Sequence, residues 1–257
     1  MKTVVYQSYK PEGGPDWIRL CLDSVRGWAA ARGFDYRFVG DEIFDPVPAW
    51  YRDKAAGQVP VITDLGRLLL ARQYLDEGYE RAVWLDADVL VFDPDRFGLD
   101  VSEGCAFGDE VWVQPGKTTD SLRAYRNVHN AISVFVAGNS FLDFYIDACQ
   151  SVLRRVEGGV PPQIVGPKLL GALHNLVGFR LVPEVGMLSP LTVRDVAAGG
   201  GPALDMMVRR SRGPVRAVNL CSSLAGRTAD GVRLSDGLLA DVCEALLAKG
   251  RTLLSGG

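Results

Sequence analysis

Two carboxylates, Asp86 and Asp88, stand two positions apart in the stretch Arg81-Ala-Val-Trp-Leu-Asp86-Ala-Asp88-Val-Leu-Val-Phe-Asp93-Pro94. The apolar runs 82–85 and 89–92 read as short buried strands, rich in β-branched and aromatic residues and too brief for helices. In an extended chain residues i and i+2 point the same way, so the two acids are expected to share one face while Ala87 points away. An apolar strand that ends in acid-small-acid can hold a divalent cation. Mg²⁺ and Mn²⁺ prefer hard oxygen ligands, and one or two carboxylates plus substrate phosphates suffice. Such an ion neutralises charge developing on a diphosphate leaving group. The plainer reading is a solvated turn after an edge strand. The apolar strands on both sides and Asp93-Pro94 beyond them favour the cation site.

The rest of the chain narrows the class. At 257 residues it can bury a substantial core. Apolar content of 47% and charged content of 23% are those of an ordinary globular protein. A net charge of −3 gives no bulk field to attract nucleic acid or an anionic membrane. Five scattered cysteines without paired spacing argue against a disulfide framework or a zinc site. The first residues enter a strand-like run at once, without a signal peptide, and no apolar stretch reaches membrane-spanning length. The expected location is therefore cytoplasmic, or peripheral to the membrane. With only His129 and His174, a histidine-rich metal site is excluded and each histidine reads as a satisfied core or surface residue.

The elements that position the acids begin with a strand over 3–6, a polar Gly/Pro loop to Pro15, a helix over 17–32 and a strand over 36–39. This is the opening of a βαβ unit. Ligands of open parallel sheets bind beyond the carboxyl ends of the strands. The loop after the first strand, with Tyr6, Gln7, Ser8 and Tyr9, is then either a nucleotide pocket or an ordinary surface loop. A helix over 63–75 places Asp64 and Arg67 three apart on one face, as an ion pair or with Arg67 aimed at phosphate or ribose.

Beyond Pro94, strands are expected over 104–107 and 110–113, a loop over 115–121, and a polar cluster running from Asn127 into an apolar stretch that ends at Val136. A helix over 141–156 is expected to turn Phe141, Phe144, Tyr145, Ala148 and Val152 inward, with Asp143 and Asp147 on its solvated side. A turn-rich loop over 161–168 precedes a helix over 169–176 and a strand over 179–182. Residues 183–190 read as irregular and the Ala/Gly run 197–202 as mobile. The basic cluster Arg209-Arg210-Ser-Arg212-Gly-Pro-Val-Arg216 is either a solvated loop or a lid whose guanidinium groups clamp a diphosphate. A strand over 217–220 and a helix from Ser235 or Asp236 to Lys249 close the chain. The architecture expected is one α/β domain over 1–257 with a mainly parallel central sheet flanked by helices. Its nucleotide-binding part covers about 1–95 and its acceptor side about 96–257.

Taken together, Asp64-x-x-Arg67, Gly78, Trp-Leu-Asp86-Ala-Asp88 and Pro94 resemble the DXD-containing sugar-binding region of GT-A glycosyltransferases, the family 32 group above all. Tyr6-Gln7, Asn130-Ala131, the segment from Gly138 to Leu142 and Gly166-Pro167 are similar to other motifs of that group. The resemblance implies a GT-A fold, a Rossmann-like sheet binding a nucleotide-diphosphate sugar, either a UDP- or a GDP-sugar. It implies a hexosyltransferase acting on a glycan, lipid-linked or small-molecule acceptor, with Asp86 and Asp88 on Mn²⁺ or Mg²⁺. Asp64, Arg67 and the Asp86-Ala87-Asp88 block would contact the donor. Retention is favoured by the same likeness, and Asp109, Asn130 and Gln163 are the catalytic candidates. Two departures stand out. The chain between Arg67 and Asp86 is longer than the pattern, and the C-terminal segment over 217–223 lacks a metal-binding histidine. Asn219, water, or a metal that binds only with the donor could take that place.

Other classes fit parts of the string. Asp86-Ala-Asp88-Val-Leu90 matches a haloacid-dehalogenase-type phosphatase or phosphotransferase, with Asp86 as nucleophile and Asp88 as acid/base. That motif normally opens its chain, and here a βαβ-like unit comes first. A nucleotidyltransferase would show a Gly-rich loop with Arg or Lys near the start, which Gly13-Gly14 matches poorly. A non-catalytic nucleotide-sugar-binding protein is the third alternative.

Overall fold

The computed structural model describes residues 1–10, 12–118 and 121–254. Residue 11 of the Gly/Pro loop and residues 119 and 120 of the 115–121 loop thus lie outside the described residues. β1 (Thr3–Ser8), α1 (Asp16–Ala31) and β2 (Asp35–Val39) form the expected strand-helix-strand unit. α2 (Ala49–Lys54) and α3 (Val59–Asp76) lead to β3 (Arg81–Leu85) and β4 (Val89–Val91). A long hairpin follows, β5 (Cys105–Pro115) and β6 (Leu122–Val136), then α4 (Phe141–Arg155), α5 (Pro167–Val177), β7 (Arg180–Val182) and β8 (Val185–Met187). The last part holds α6 (Pro190–Ala197), α7 (Pro202–Arg210), β9 (Ala217–Asn219), β10 (Thr228–Ala229), β11 (Val232–Arg233) and α8 (Asp236–Leu253).

The central sheet runs β2-β1-β3-β6-β5-β7. β6 is antiparallel to both neighbours, and the other five strands share one direction. Alternation along β1 sends Val4 and Tyr6 to one face and Val5 to the other. On the first face they meet Leu65, Leu68 and Ala71 of α3 and Tyr145 and Cys149 of α4. On the second, Val5, Val83 and Leu85 meet Val25, Trp28 and Ala29 of α1. Helices on both faces explain why all five residues of β3 are buried and why 82–85 read as a continuous apolar run. β4, β9 and β8 form a separate sheet. It packs against α1 and the last three helices through Trp17, Leu90, Val218, Leu239 and Val242.

Several expectations are corrected. The strands expected over 104–107 and 110–113 are one continuous strand, β5. The third helix starts at Val59, carrying Pro60 within its first turn, where a missing N–H costs nothing. In α4 the buried residues are Leu142, Tyr145, Ile146, Cys149 and Leu153, and Phe144 is half-exposed. The segment is apolar at so many positions that two stripes overlap, and packing rather than periodicity selects one. Residues 183–190 hold β8, and α6 and α7 follow where no helix was expected. The Ala/Gly run between them is a hydrogen-bonded turn. Gly200 N–H donates to the Asp195 carbonyl, and the buried Asp195 carboxylate accepts from the N–H groups of Ala203 and Leu204 at the start of α7.

Candidate functional site

Asp86 lies just past the carboxyl end of β3, at an irregularity in its neighbour. Phe107 of β5 pairs with Ser133, but the next residue, Gly108, pairs with His129. Residues 130–132 of β6 are therefore extra relative to β5, a bulge that re-aims side chains. The bulge presents the Ala131 carbonyl to the Asp86 N–H at 2.8 Å. His129 packs over Gly108, where a Cβ would fall 1.9 Å from Nε2, so only glycine fits. The His129 ring is neutral and fixed. Its Nδ1 accepts from the Ala131 N–H, and its Nε2 donates to the Val185 carbonyl at 3.0 Å. Burial pushes its pKa down to about 4. It holds the bulge and is no ligand.

Around Asp86 the chain builds a polar network. Arg67 of α3 pairs with Asp64 and donates to Asp86 Oδ1 at 3.1 Å and to the Asn130 carbonyl at 2.9 Å. Asn130 Nδ2 donates to Asp64 Oδ1 at 3.0 Å. Trp84 Nε1 donates to Asp86 Oδ1 at 2.6 Å, and its ring lies under the Arg67 guanidinium. The Asp86 side chain keeps 31% of its surface open, while Asp64 and Arg67 are buried. Burial pushes the Asp86 carboxyl up to about 6, opposed by Arg67 and reinforced by Asp88.

Asp88 is placed differently from the expectation. The Val89 N–H donates to the Asp86 carbonyl at 3.0 Å, so residues 86–89 form a turn rather than an extended strand. Strand alternation therefore does not align the two acids. Asp88 is buried, with Oδ1 accepting from Asn219 Nδ2 and Oδ2 from the Ser222 N–H, each at 2.6 Å. Asn219 also accepts from the Cys221 N–H at 2.8 Å, and Cys221 takes a left-handed conformation with φ 54°. The 219–222 turn thus wraps Asp88. Ala87 between the acids is buried.

The expected nucleotide loop divides. Tyr6 is fully buried, donates to the Arg67 carbonyl at 2.7 Å and packs edge-on against Tyr74 and Trp84. Gln7 is equally buried, donating to the Asp86 carbonyl at 3.0 Å and accepting from the Tyr36 hydroxyl. Both side chains support Asp86 from beneath instead of facing a ligand, because β1 lies between two covered faces. Ser8 donates to the Gly40 carbonyl at 3.3 Å and is half-buried, as is Tyr9 beside it. Burial, with Asp236 and Asp88 nearby, raises the Tyr9 hydroxyl.

Asp86 and Asn130 open on a cleft of about 870 Å³. Of the other catalytic candidates, Asp109 and Gln163 line it too. Asp109 Oδ2 lies 3.5 Å from Arg126 and 3.6 Å from Arg212. Gln163 is exposed in the loop before α5. The sequence reading missed Glu110, Trp112, Asn127, Lys168, His174 and Asn175 as lining residues. The signal available was the alternation of polar or aromatic Glu110, Trp112 and Gln114 with Val111 and Val113. Of the basic cluster, Arg212 faces the cleft. Arg216 instead pairs with the fully buried Asp93 at 2.7 Å, opposite Arg251 at 2.8 Å.

Among the described residues no three His, Cys, Asp or Glu side chains converge as a metal cage. Asp86 Oδ2, free of the bonds that hold Oδ1, and the Asp88 oxygens, each with one acceptor position left, form the available donor set. That set suits a hard cation that keeps waters and gains phosphate oxygens from its substrate. No helix among the described residues is long and apolar enough to cross a membrane.

No protein-family model matches the sequence, and no curated protein matches it. Solved structures do. A glycosyltransferase involved in glycosylation of the major capsid of PBCV-1 shares 11% identity at TM-score 0.50, over 95% of this chain and 100% of that one. Mouse xyloside xylosyltransferase 1 in its apo form shares 10% identity at TM-score 0.47, over 86% of this chain and 98% of that one. With the sheet order, the covered faces and the acidic turn at the end of β3, the first of these likenesses fixes the architecture: the chain has the GT-A fold, a mainly parallel sheet flanked by helices.

Proposed function

We propose that the protein is a metal-dependent glycosyltransferase that moves a hexose from a UDP- or GDP-sugar to an acceptor hydroxyl. The observation that carries this reading is the open Asp86 carboxylate past the end of β3, held by Arg67 and Trp84 at the floor of the large cleft. Ligands of such sheets bind there. About residues 1–95 would hold the donor, with Ser8 and Tyr9 beside the base or ribose, and about 96–257 would shape the acceptor side.

In this reading Asp86 and Asp88 hold Mn²⁺ or Mg²⁺, which when bound neutralises charge on the departing diphosphate. Arg67 is too enclosed to grip phosphate and acts through Asp86, keeping its carboxylate aimed at the cleft. Asp64 and Asn130 lock that guanidinium. Arg126, Lys168 and Arg212, which line the cleft, are side chains able to meet phosphate charge directly. In this reading Asp109 and Gln163, which line the cleft, would meet the acceptor hydroxyl or the reacting sugar. The phosphatase alternative is not favoured, since it needs Asp88 as a mobile acid/base and both its oxygens are fixed as acceptors from Asn219 and the Ser222 N–H.

The test is release of nucleoside diphosphate from a panel of UDP- and GDP-sugars with Mn²⁺, with and without simple glycosides as acceptors. Turnover of a nucleotide sugar that disappears in Asp86→Ala supports the reading. Hydrolysis of phosphate monoesters, with every nucleotide sugar untouched, would overturn it.

A further inference from the structure

One wall of the cleft differs in chemistry from its charged floor. It is made by the part of the β5–β6 hairpin that extends past the bulge, where Glu110 pairs with Asn127 and Trp112 with Tyr125. Facing it are Lys168, His174 and Asn175 of α5. Trp112 is half-buried and lines the cleft. Three other tryptophans commit their indole N–H groups: Trp17 to Asp236, Trp28 to the Phe97 carbonyl and Trp84 to Asp86. Among the described residues the Trp112 indole donates to no protein atom.

An open aromatic face with an unused donor, set among a carboxylate and amides, is suited to a ligand with one apolar face and hydroxyls around its rim. A pyranose ring has that form, with C–H bonds on its faces and hydroxyls at its edge. Tyr125, paired with Trp112 across the hairpin, is covered by the Arg123 guanidinium 4.6 Å from its ring, so Trp112 offers the free face. His174 lines the cleft as well. Its ring packs on Phe179, and its buried Nδ1 has no partner within the protein. β6 carries both Asn130 at the cleft floor and Asn127 on this wall, three residues apart and roughly 10 Å along a strand.

We propose that this wall is the acceptor site and that Trp112 stacks on the face of a pyranose acceptor whose hydroxyls are held by Glu110, Asn127 and His174. The assignment rests on the glycosyl-transfer reading for its role, but the site itself can be tested separately. Asp109 lies on β5 between the bulge and Trp112, so an acceptor on Trp112 would present a hydroxyl toward it and the floor. The site selects a sugar unit and not a purely apolar alcohol, because the groups around Trp112 are polar, with Asn127 donating to Glu110 at 3.5 Å.

The experiment is saturation-transfer NMR on the full chain with Mn²⁺ and nucleoside diphosphate present. The probes are methyl glycosides of glucose, galactose, mannose and xylose, with 2-phenylethanol as an apolar probe. The same titrations are made on Trp112→Ala and Trp112→Phe, and nucleoside diphosphate binding is followed by calorimetry in each protein to show that the fold and donor side persist. Expected are transfer to the ring C–H protons of at least one pyranoside, affinity about tenfold weaker in Trp112→Ala and mostly kept in Trp112→Phe. Pyranoside binding unchanged by Trp112→Ala, binding of 2-phenylethanol alone, or no pyranoside binding in a protein that binds nucleotide would each overturn the proposal. Trp112-dependent pyranoside binding without any nucleotide binding would uphold this site and count against the transferase reading.

Discussion

Arg67 and Asp86, nineteen residues apart in sequence, meet at 3.1 Å where α3 passes under the end of β3. The guanidinium is shared by a buried carboxylate, Asp64, and an open one, Asp86. Arg67→Ala would leave Asp64 charged and enclosed, a loss of about 3–5 kcal/mol. Urea denaturation should show it, and Asp64→Leu added to Arg67→Ala should recover part. A loss under about 1 kcal/mol would mean the pair is solvated.

Gly166 lets the loop before α5 close on this pair. A Cβ there would sit 2.6 Å from Asp64 Oδ2 and 3.0 Å from Asn130 Nδ2. Gly166→Ala should therefore cost about 1–3 kcal/mol and weaken donor binding with it. Gly171→Ala, within the same α5, meets nothing within 4 Å and should gain up to about 1 kcal/mol through helix propensity. Thermal melts of the two variants should shift in opposite directions.

The parts of this arrangement differ in how far the sequence disclosed them. The β3 strand and the helix carrying Asp64 and Arg67 were legible because an apolar run and local periodicity mark them. The turn at 86–89 was not, since the acidic pair read as extended chain with both acids on one face. The bulge at residues 130–132 was not, since it exists only in the pairing of β5 with β6. Tyr6 and Gln7 read as part of a loop after a strand ending at residue 6, either a nucleotide pocket or an ordinary loop, whereas β1 runs on to Ser8. Only the covering of both sheet faces shows that they serve Asp86. Ser189 and Pro190 were an N-cap and first-turn proline visible in the sequence for α6, a signal that went unused. The cap that Asp195 supplies to α7 spans an intervening turn and leaves no local pattern.

Arg216 and Arg212 lie four residues apart yet should behave oppositely. Arg216→Ala removes a partner of fully buried Asp93 and should cost about 3 kcal/mol or more. Arg212 is more than half exposed, so Arg212→Ala should change stability by less than about 1 kcal/mol while weakening nucleoside diphosphate binding. Parallel denaturation and binding titrations separate the two roles.

His129 predicts an acid response. The folded chain takes up this proton only near pH 4, against an ordinary value of 6.5. The unfolded chain therefore binds more protons between these values. Stability from this residue is complete above about pH 6.5, declines as pH falls and is lost once pH drops through about 4, for a total of about 3 kcal/mol. His129→Gln should flatten that part of the stability-pH curve, measured by urea denaturation from pH 7 to 4.

The central claim is a metal-assisted nucleotide-sugar site at Asp86. Calorimetric titration of UDP- and GDP-sugars into the wild-type chain and Asp86→Asn, each with and without Mn²⁺, tests it most directly. The account predicts saturable binding of at least one nucleotide sugar that strengthens with Mn²⁺, and loss of that strengthening in Asp86→Asn without loss of the folded state. Binding that ignores both Mn²⁺ and Asp86→Asn, or no binding of any nucleotide sugar, would contradict it.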